Sequence, residues 1–194
     1  MNYIMYKSLR VVLNPLFKIL YRPRIIGLEN IPKNGSVILA GNHTNNLDAA
    51  LMLSGPNRIV HMMAKKELFN SKLSNWFFRS MGCISVNRSI HDDNAKKEAI
   101  DILKEGNVLG IFPEGTVNKT EKMLLPFKYG AVSFANKTNA YIVPFSITGK
   151  YKLFKKSIKI TYGKSYKISS DLEKENDILM KKVEKLIKEN NDEK

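Results

Sequence analysis

From residue 36 onward, short apolar runs alternate with stretches whose apolar residues recur every three or four positions. SVILAGN (36–42) predicts a strand, and LDAALMLSG after it predicts a short helix ended by Gly55 and Pro56. RIVHMMA (58–64) predicts a second strand, followed by a helix around KELFNSKLSNWFFRSMG (66–82). CISVNR (83–88) predicts a third strand. Asp92 or Asp93 then offers an N-cap to a helix through about Lys104, closed by Glu105 and Gly106. VLGIFPEGT (108–116) predicts a fourth strand that runs into a polar loop; YGAVSFANKT (129–138) predicts a helix and AYIVPFSITG (140–149) a further strand. SIKITYGKSYKI (157–168) predicts one or two more strands, with Gly163 as a turn or bulge. The chain closes with a helix from Ser170. Ser170 and Glu173 have capping-box spacing, and Leu172, Leu179, Val183 and Leu186 make its apolar side.

Strands alternating with helices predict an α/β fold, a single domain over 25–194 with a mixed, largely parallel sheet flanked by helices. In such sheets functional groups collect at the carboxyl ends of strands. His43, Arg88 and Glu114 each follow the apolar core of a predicted strand.

Residues 1–24 break this rhythm. In MNYIMYKSLRVVLNPLFKILYRPR, Lys7, Arg10, Asn14, Lys18 and Arg22 step by three or four residues and so share one face of a helix. Nearly everything else up to Tyr21 is apolar or aromatic. No uninterrupted run approaches the ~20 residues that span a bilayer, and no small-residue cleavage site follows. The pattern predicts an amphipathic segment lying in the headgroup region of a membrane, kinked or divided at Pro15. An amphipathic helix docked on its own domain is the competing reading of the same pattern.

A chain of 194 residues can bury one core, hiding roughly 70% of its unfolded surface. A hydrophobic content of 43% excludes a disordered chain. The net charge of +14 points to an anionic partner: nucleic acid, an anionic membrane or an acidic protein. Nucleic acid is set aside, because Phe77, Phe78, Phe112 and Phe134 lie within apolar runs instead of alternating with basic residues on a platform. The single cysteine, Cys83, cannot form an internal disulfide and fits a reducing compartment.

His43 and Asp48 in NHTNNLD frame the chemical question. If Asp48 holds one ring N–H, the other nitrogen is a lone-pair base. Alternatively, both are polar residues of a strand-to-helix turn. Pro113 stops a strand, so Glu114 is displayed at its end, and Gly115 permits close approach of a ligand to the backbone. Arg88 brings a planar guanidinium suited to phosphate or carboxylate. There is no G-x-S-x-G elbow, no Walker-type phosphate loop and no G-x-G-x-x-G fingerprint. His43, His61, His91 and Cys83 have no metal-ligand spacing. Without an activated serine or cysteine, a histidine base would act on a hydroxyl of the substrate.

Four blocks, NHTNNLD (42–48), GCISVNR (82–88), FPEGT (112–116) and IVPFSI (142–147), together with GLENIP (27–32), AKKELF (64–69) and LPFKYGA (125–131), resemble the glycerolipid acyltransferase family in order and spacing. The likeness is greatest to its bacterial 1-acylglycerol-3-phosphate acyltransferases and covers roughly residues 25 to 150. It implies transfer of a fatty acyl group from a thioester to the free hydroxyl of a lysophospholipid, giving phosphatidic acid. His43 would be the general base and Asp48 its orienting partner, without an acyl-enzyme. Arg88, Glu114, Gly115, Thr116 and Lys128 would bind the acceptor. No cofactor or metal is implied; the co-substrate would be acyl-CoA or an acyl carrier protein thioester. The partners would be an anionic membrane surface and the lysophospholipid it carries, and the location the cytoplasmic face of the membrane. Two departures stand out. Val117 occupies a frequent arginine position, which moves the phosphate contact toward Lys119, Lys122 or Lys128, and Asn87 stands where aspartate is frequent. Glycerol 3-phosphate, another lysophospholipid or an amino-acid-containing lipid is the alternative acceptor, and a non-catalytic membrane-binding protein the alternative class.

Overall fold

The structure, a computed structural model, describes residues 3–87, 89 and 92–192. The predicted strands appear as β2 (Val37–Gly41), β3 (Val60–Lys65), β4 (Cys83–Val86), β5 (Val108–Ile111), β6 (Tyr141–Gly149) and β7 (Ile158–Tyr162). The three residues of β1 (Arg24–Ile26) precede them; they are too few for periodicity to reveal. The helices are α1 (Tyr3–Tyr21), α2 (Asp48–Ser54), α3 (Lys72–Ser80), α4 (Asp93–Lys104), α5 (Gly130–Thr138) and α6 (Leu172–Asp192).

One sheet of seven strands, in the order β1-β7-β6-β2-β5-β3-β4, forms the middle layer among the described residues. β6, β2, β5, β3 and β4 are mutually parallel. β7 runs antiparallel to β6 and parallel to β1, so the edge pair reverses direction. Both faces are covered, which is why β2 and β5 are apolar at every position and wholly buried. On one face Ile38, Leu109 and Ile142 pack against Ala99 and Leu103 of α4, Val132 of α5 and Val183 of α6. On the other, Leu39, Val60 and Val143 pack with Leu51 and Met52 of α2, and Leu9, Leu13 and Phe17 of α1 lie against that cluster.

Local signals place the helix ends. Asp92 caps α4, accepting the Ala95 N–H at 3.0 Å. At α6 the cap differs from the predicted Ser170–Glu173 pair. Asp171 accepts the Lys174 N–H at 3.1 Å, while Glu175 reaches back to the N–H and hydroxyl of Ser169. Asp171 stands immediately before the first helical residue, Leu172, which is the capping position.

The N-terminal helix is continuous through Pro15, not divided there. Its broad apolar arc meets two environments. Tyr6 is fully buried and its hydroxyl accepts the Val60 N–H at 3.2 Å, and Arg10 donates to the carbonyls of Pro56 and Arg58. Arg10 therefore leaves the predicted basic stripe and anchors the docked face. Ile4, Val11, Val12, Leu16 and Ile19 stay largely exposed on the other side. No helix among the described residues is long and apolar enough to cross a membrane.

Candidate active site

The site begins where β2 ends. Beyond Gly41, the buried Asn42 side chain extends the pairing with β6, donating to the Ile147 carbonyl at 2.9 Å and accepting its N–H at 2.7 Å. The chain therefore leaves the sheet at a fixed point, and His43 projects from the carboxyl edge.

Residues 43–48 then close a turn. Asp48 donates its N–H to the Asn45 carbonyl at 3.0 Å, and the Asn45 side chain accepts the Leu47 N–H. This turn folds the first residue of α2 back toward His43, so a five-residue offset that no regular helix face accommodates becomes a contact. His43 Nδ1 lies 3.0 Å from Asp48 Oδ2. The same oxygen accepts the N–H groups of Thr44 at 2.5 Å and Asn45 at 2.7 Å. Asp48 is thus both the cap of the turn and the partner of the histidine; the two readings of the sequence coexist in one fully buried carboxylate.

A carboxylate can only accept here, so Nδ1 carries the proton and Nε2 carries the lone pair. The ring is held flat against Phe112, with centroids 4.0 Å apart and planes 13° from parallel. Its side chain is only 15% exposed. Phe112 stands in turn edge-on to Phe145 of β6. A second oxygen of Asp48 remains, and the Tyr151 hydroxyl donates to it at 2.7 Å from just beyond β6. Burial, and then the neighbouring Asp48 charge, push the Tyr151 phenol well above its ordinary range, so it stays a donor.

Glu114 arrives from the end of β5, next to β2 in the sheet. It is buried, and both of its oxygens are used by backbone. Oε1 accepts the N–H of His43 at 2.7 Å and Oε2 the N–H of Leu125 at 2.7 Å. Burial raises its carboxyl above the usual value, and these two N–H donors draw it part of the way back. The His43 carbonyl accepts the Asn118 N–H at 2.7 Å, so the loop carrying Lys119 and Lys122 hangs from the histidine's own backbone. Gly115 sits at φ 72°, and a Cβ there would approach Lys128 Cε and Nζ to 2.9 Å, so the Lys128 side chain lies across the glycine. Thr116 and Lys128 are exposed, and Val117 is half-buried. Arg88 lies outside the described residues.

His43, Asp48, Glu114, Gly115 and Lys128 thus form one connected site at the carboxyl ends of β2 and β5. Tyr151, Phe112 and Asn42 belong to it without having been singled out in the sequence. Asn42 and Phe112 fall within the recognised blocks, whereas Tyr151 is 103 residues from Asp48 and carries no local signal. Among the described residues, no group of three or more histidine, cysteine, aspartate or glutamate side chains converges in a way that would hold a metal ion. The chemical capacity is that of an oriented imidazole base beside an exposed lysine-bearing loop.

Known proteins resemble this chain in sequence and in fold. Residues 22–148 match the family model described as Acyltransferase. The chain is 32% identical over 165 residues to the 1-acyl-sn-glycerol-3-phosphate acyltransferase of Bacillus subtilis (strain 168), covering 82% of this chain and 81% of that relative. It is 34% identical over 178 residues to the protein of the same description from Borreliella burgdorferi, covering 82% of this chain and 71% of the relative. Among solved structures, the 1-acyl-sn-glycerophosphate (LPA) acyltransferase PlsC from Thermotoga maritima matches with a TM-score of 0.76 at 25% identity, covering 95% of this chain and 78% of that one.

Proposed function

The chain belongs to the acyltransferase family, and from that premise we propose that it acylates the sn-2 hydroxyl of 1-acylglycerol-3-phosphate to give phosphatidic acid. The observation that carries this reading is the His43–Asp48 pair at 3.0 Å, held in a turn that leaves Nε2 as the base. The hydroxyl oxygen attacks the thioester carbonyl while His43 Nε2 takes its proton. The tetrahedral intermediate then collapses, breaking the carbon–sulfur bond, and the departing thiolate recovers that proton from the imidazolium. A positioned general base contributes about 10²–10⁴ in rate, and Asp48 serves that base by holding the ring and stabilising its charged form. No residue of the protein needs to be acylated.

Glu114 acts as a brace, fixing the His43 backbone relative to the 118–125 loop. Arg88, Lys128 and the exposed Thr116 supply contacts to the glycerol phosphate, with Lys128 taking a larger share because Val117 offers no cation. The donor is an acyl thioester of CoA or of an acyl carrier protein; the net charge of +14 suits the phosphates of the one and the acidic surface of the other. The exposed apolar side of α1, flanked by Lys7, Lys18 and Arg22, suits contact with the cytoplasmic face of an anionic membrane.

The test is acyl transfer by wild type and His43→Ala to lysophosphatidate, glycerol 3-phosphate and a neutral lysolipid, with each thioester donor. Lysophosphatidate is expected to be the preferred acceptor, and His43→Ala to lose at least 10²-fold in rate with unchanged circular dichroism. Equal product from His43→Ala refutes the mechanism, and preference for another acceptor refutes the assigned substrate.

A further inference from the structure

The connection between β6 and β7, KYKLFKKS (150–157), holds four lysines and no acidic residue around Leu153 and Phe154. Neither hydrophobe is packed away: Leu153 is 57% and Phe154 60% exposed. Phe154 also sits at φ 58°, a left-handed conformation that bulky residues rarely adopt. Two contacts with α1 hold it there. The Phe154 N–H donates to the Leu20 carbonyl at 2.5 Å, and the Tyr151 ring packs edge-on against Tyr21 and Phe17, at 5.6 and 6.5 Å. The tip is therefore fastened at its base while its two large apolar side chains are turned outward. Residues held in such sparsely populated conformations cluster at functional segments.

The surroundings say what that segment meets. A hollow of about 540 Å³ is lined by Phe154 together with Pro15, Lys18 and Ile19 of α1 and Arg22 just beyond it. Through Ile19 this hollow joins the loop to the exposed apolar side of α1. Nearby, Arg24, Lys150, Lys152 and Lys156 line a cleft of about 530 Å³. Residues 1–28 contain no acidic residue either. Exposed hydrophobes flanked by cations match a bilayer, with anionic phosphates above an apolar layer.

We propose that the β6–β7 connection is a second lipid-docking element, Leu153 and Phe154 entering an anionic bilayer beside α1 while the surrounding lysines contact lipid phosphates. The proposal rests on the membrane-surface reading of α1 and adds the element that joins it to the chemistry. Tyr151, two residues before Leu153, donates to Asp48, so docking by this loop sets the His43–Asp48 pair at the plane where lipid hydroxyls lie. An acidic carrier protein would meet the lysines but leaves two large exposed apolar side chains without a purpose, so the bilayer is the better match.

The experiment places single tryptophans in a Trp76→Phe background. Phe154→Trp reports on the loop, and Lys185→Trp on the exposed side of α6 is the control. With vesicles containing phosphatidylglycerol, emission from position 154 is expected to shift blue and to be quenched by brominated lipid, while position 185 is unaffected. Leu153→Ser with Phe154→Ser is expected to weaken partitioning by roughly 100-fold, about tenfold or more for each side chain. Lys152→Glu is expected to weaken it at least fivefold at low salt. Unquenched emission from the Phe154→Trp variant while it is bound to vesicles overturns the proposal. So does wild-type partitioning by the double serine variant, or a Lys152→Glu effect confined to acyl carrier protein binding. Wild type that acylates a short-chain, monomeric lysophosphatidate but ignores vesicles refutes docking and leaves the acyltransferase reading standing. Wild type that docks through position 154 but acylates no lysolipid upholds docking and refutes the acyltransferase reading.

Discussion

Tyr151→Phe removes one oxygen atom and leaves the ring in place against Phe17 and Tyr21. What it takes from the molecule is the 2.7 Å hydrogen bond to Asp48 Oδ1. Asp48 is fully buried, and Thr44 Oγ1, the other neighbour of that oxygen, is 3.4 Å away. Hydrogen bonds to charged groups are worth about 1.5–3 kcal/mol, and at a urea dependence of about 2 kcal/mol per M this moves the unfolding midpoint down by roughly 1 M. The carboxylate that orients His43 is also less fixed. Each 1.4 kcal/mol of lost positioning costs about tenfold in rate. The decisive assay is a double-mutant cycle with Asp48→Ala, which removes the acceptor, read by urea unfolding. Residues in direct contact couple by about 0.5–3 kcal/mol, and distant sites add to within about 0.5 kcal/mol. Additive energies together with a wild-type rate for Tyr151→Phe would refute the reasoning, because the tyrosine would then be holding nothing.

Two further predictions use the same logic. Glu114→Gln replaces two acceptor oxygens by one, setting an NH₂ against a backbone N–H of either His43 or Leu125. It is expected to cost about 1–3 kcal/mol and to lower acyl transfer, and a fully stable, fully active variant would show that Glu114 is no brace. Burial pushes the Cys83 thiol from 9.0 up to about 12. The folded state holds that proton after the unfolded chain has released it. This contribution to stability is therefore intact below pH 9 and is lost as pH rises through about 12. Thermal unfolding followed from about pH 8 to about pH 11 should show the decline, less steeply in Cys83→Ala. In native protein at about pH 8 the thiol should resist maleimide, and rapid labelling there would contradict its burial.

Much of the layer architecture was legible because its signals are local. Unbroken apolar runs such as VILAG and VLGI belong to strands covered on both faces, and an aspartate just ahead of a helical pattern, as at Asp92, is a local capping signal. Placing His43 and Glu114 at strand ends also needed only the sequence. The block NHTNNLD held both partners of the dyad, since a turn of six residues is a local object.

What the chain did not show locally was decided by which strands became neighbours. Because β6 lies beside β2, Tyr151, two residues past its end, can reach the first residue of α2 and donate to Asp48. Because β5 lies on the other side of β2, Glu114 spends its oxygens on the His43 and Leu125 backbone. The reversal of β7 turns the 150–157 connection into a loop against α1. The docked face of α1 then buries Tyr6 and leaves Val11 and Val12 outside, the reverse of what hydrophobicity alone would choose. By itself the sequence determined most of the elements, the Asp92 cap and the placing of His43 and Asp48 in one short turn, since each rests on contacts a few residues apart. The tertiary structure alone decided which buried oxygen meets which donor and which apolar side chain stays outside. Those outcomes depend on strand order and direction, which no periodicity along the chain records.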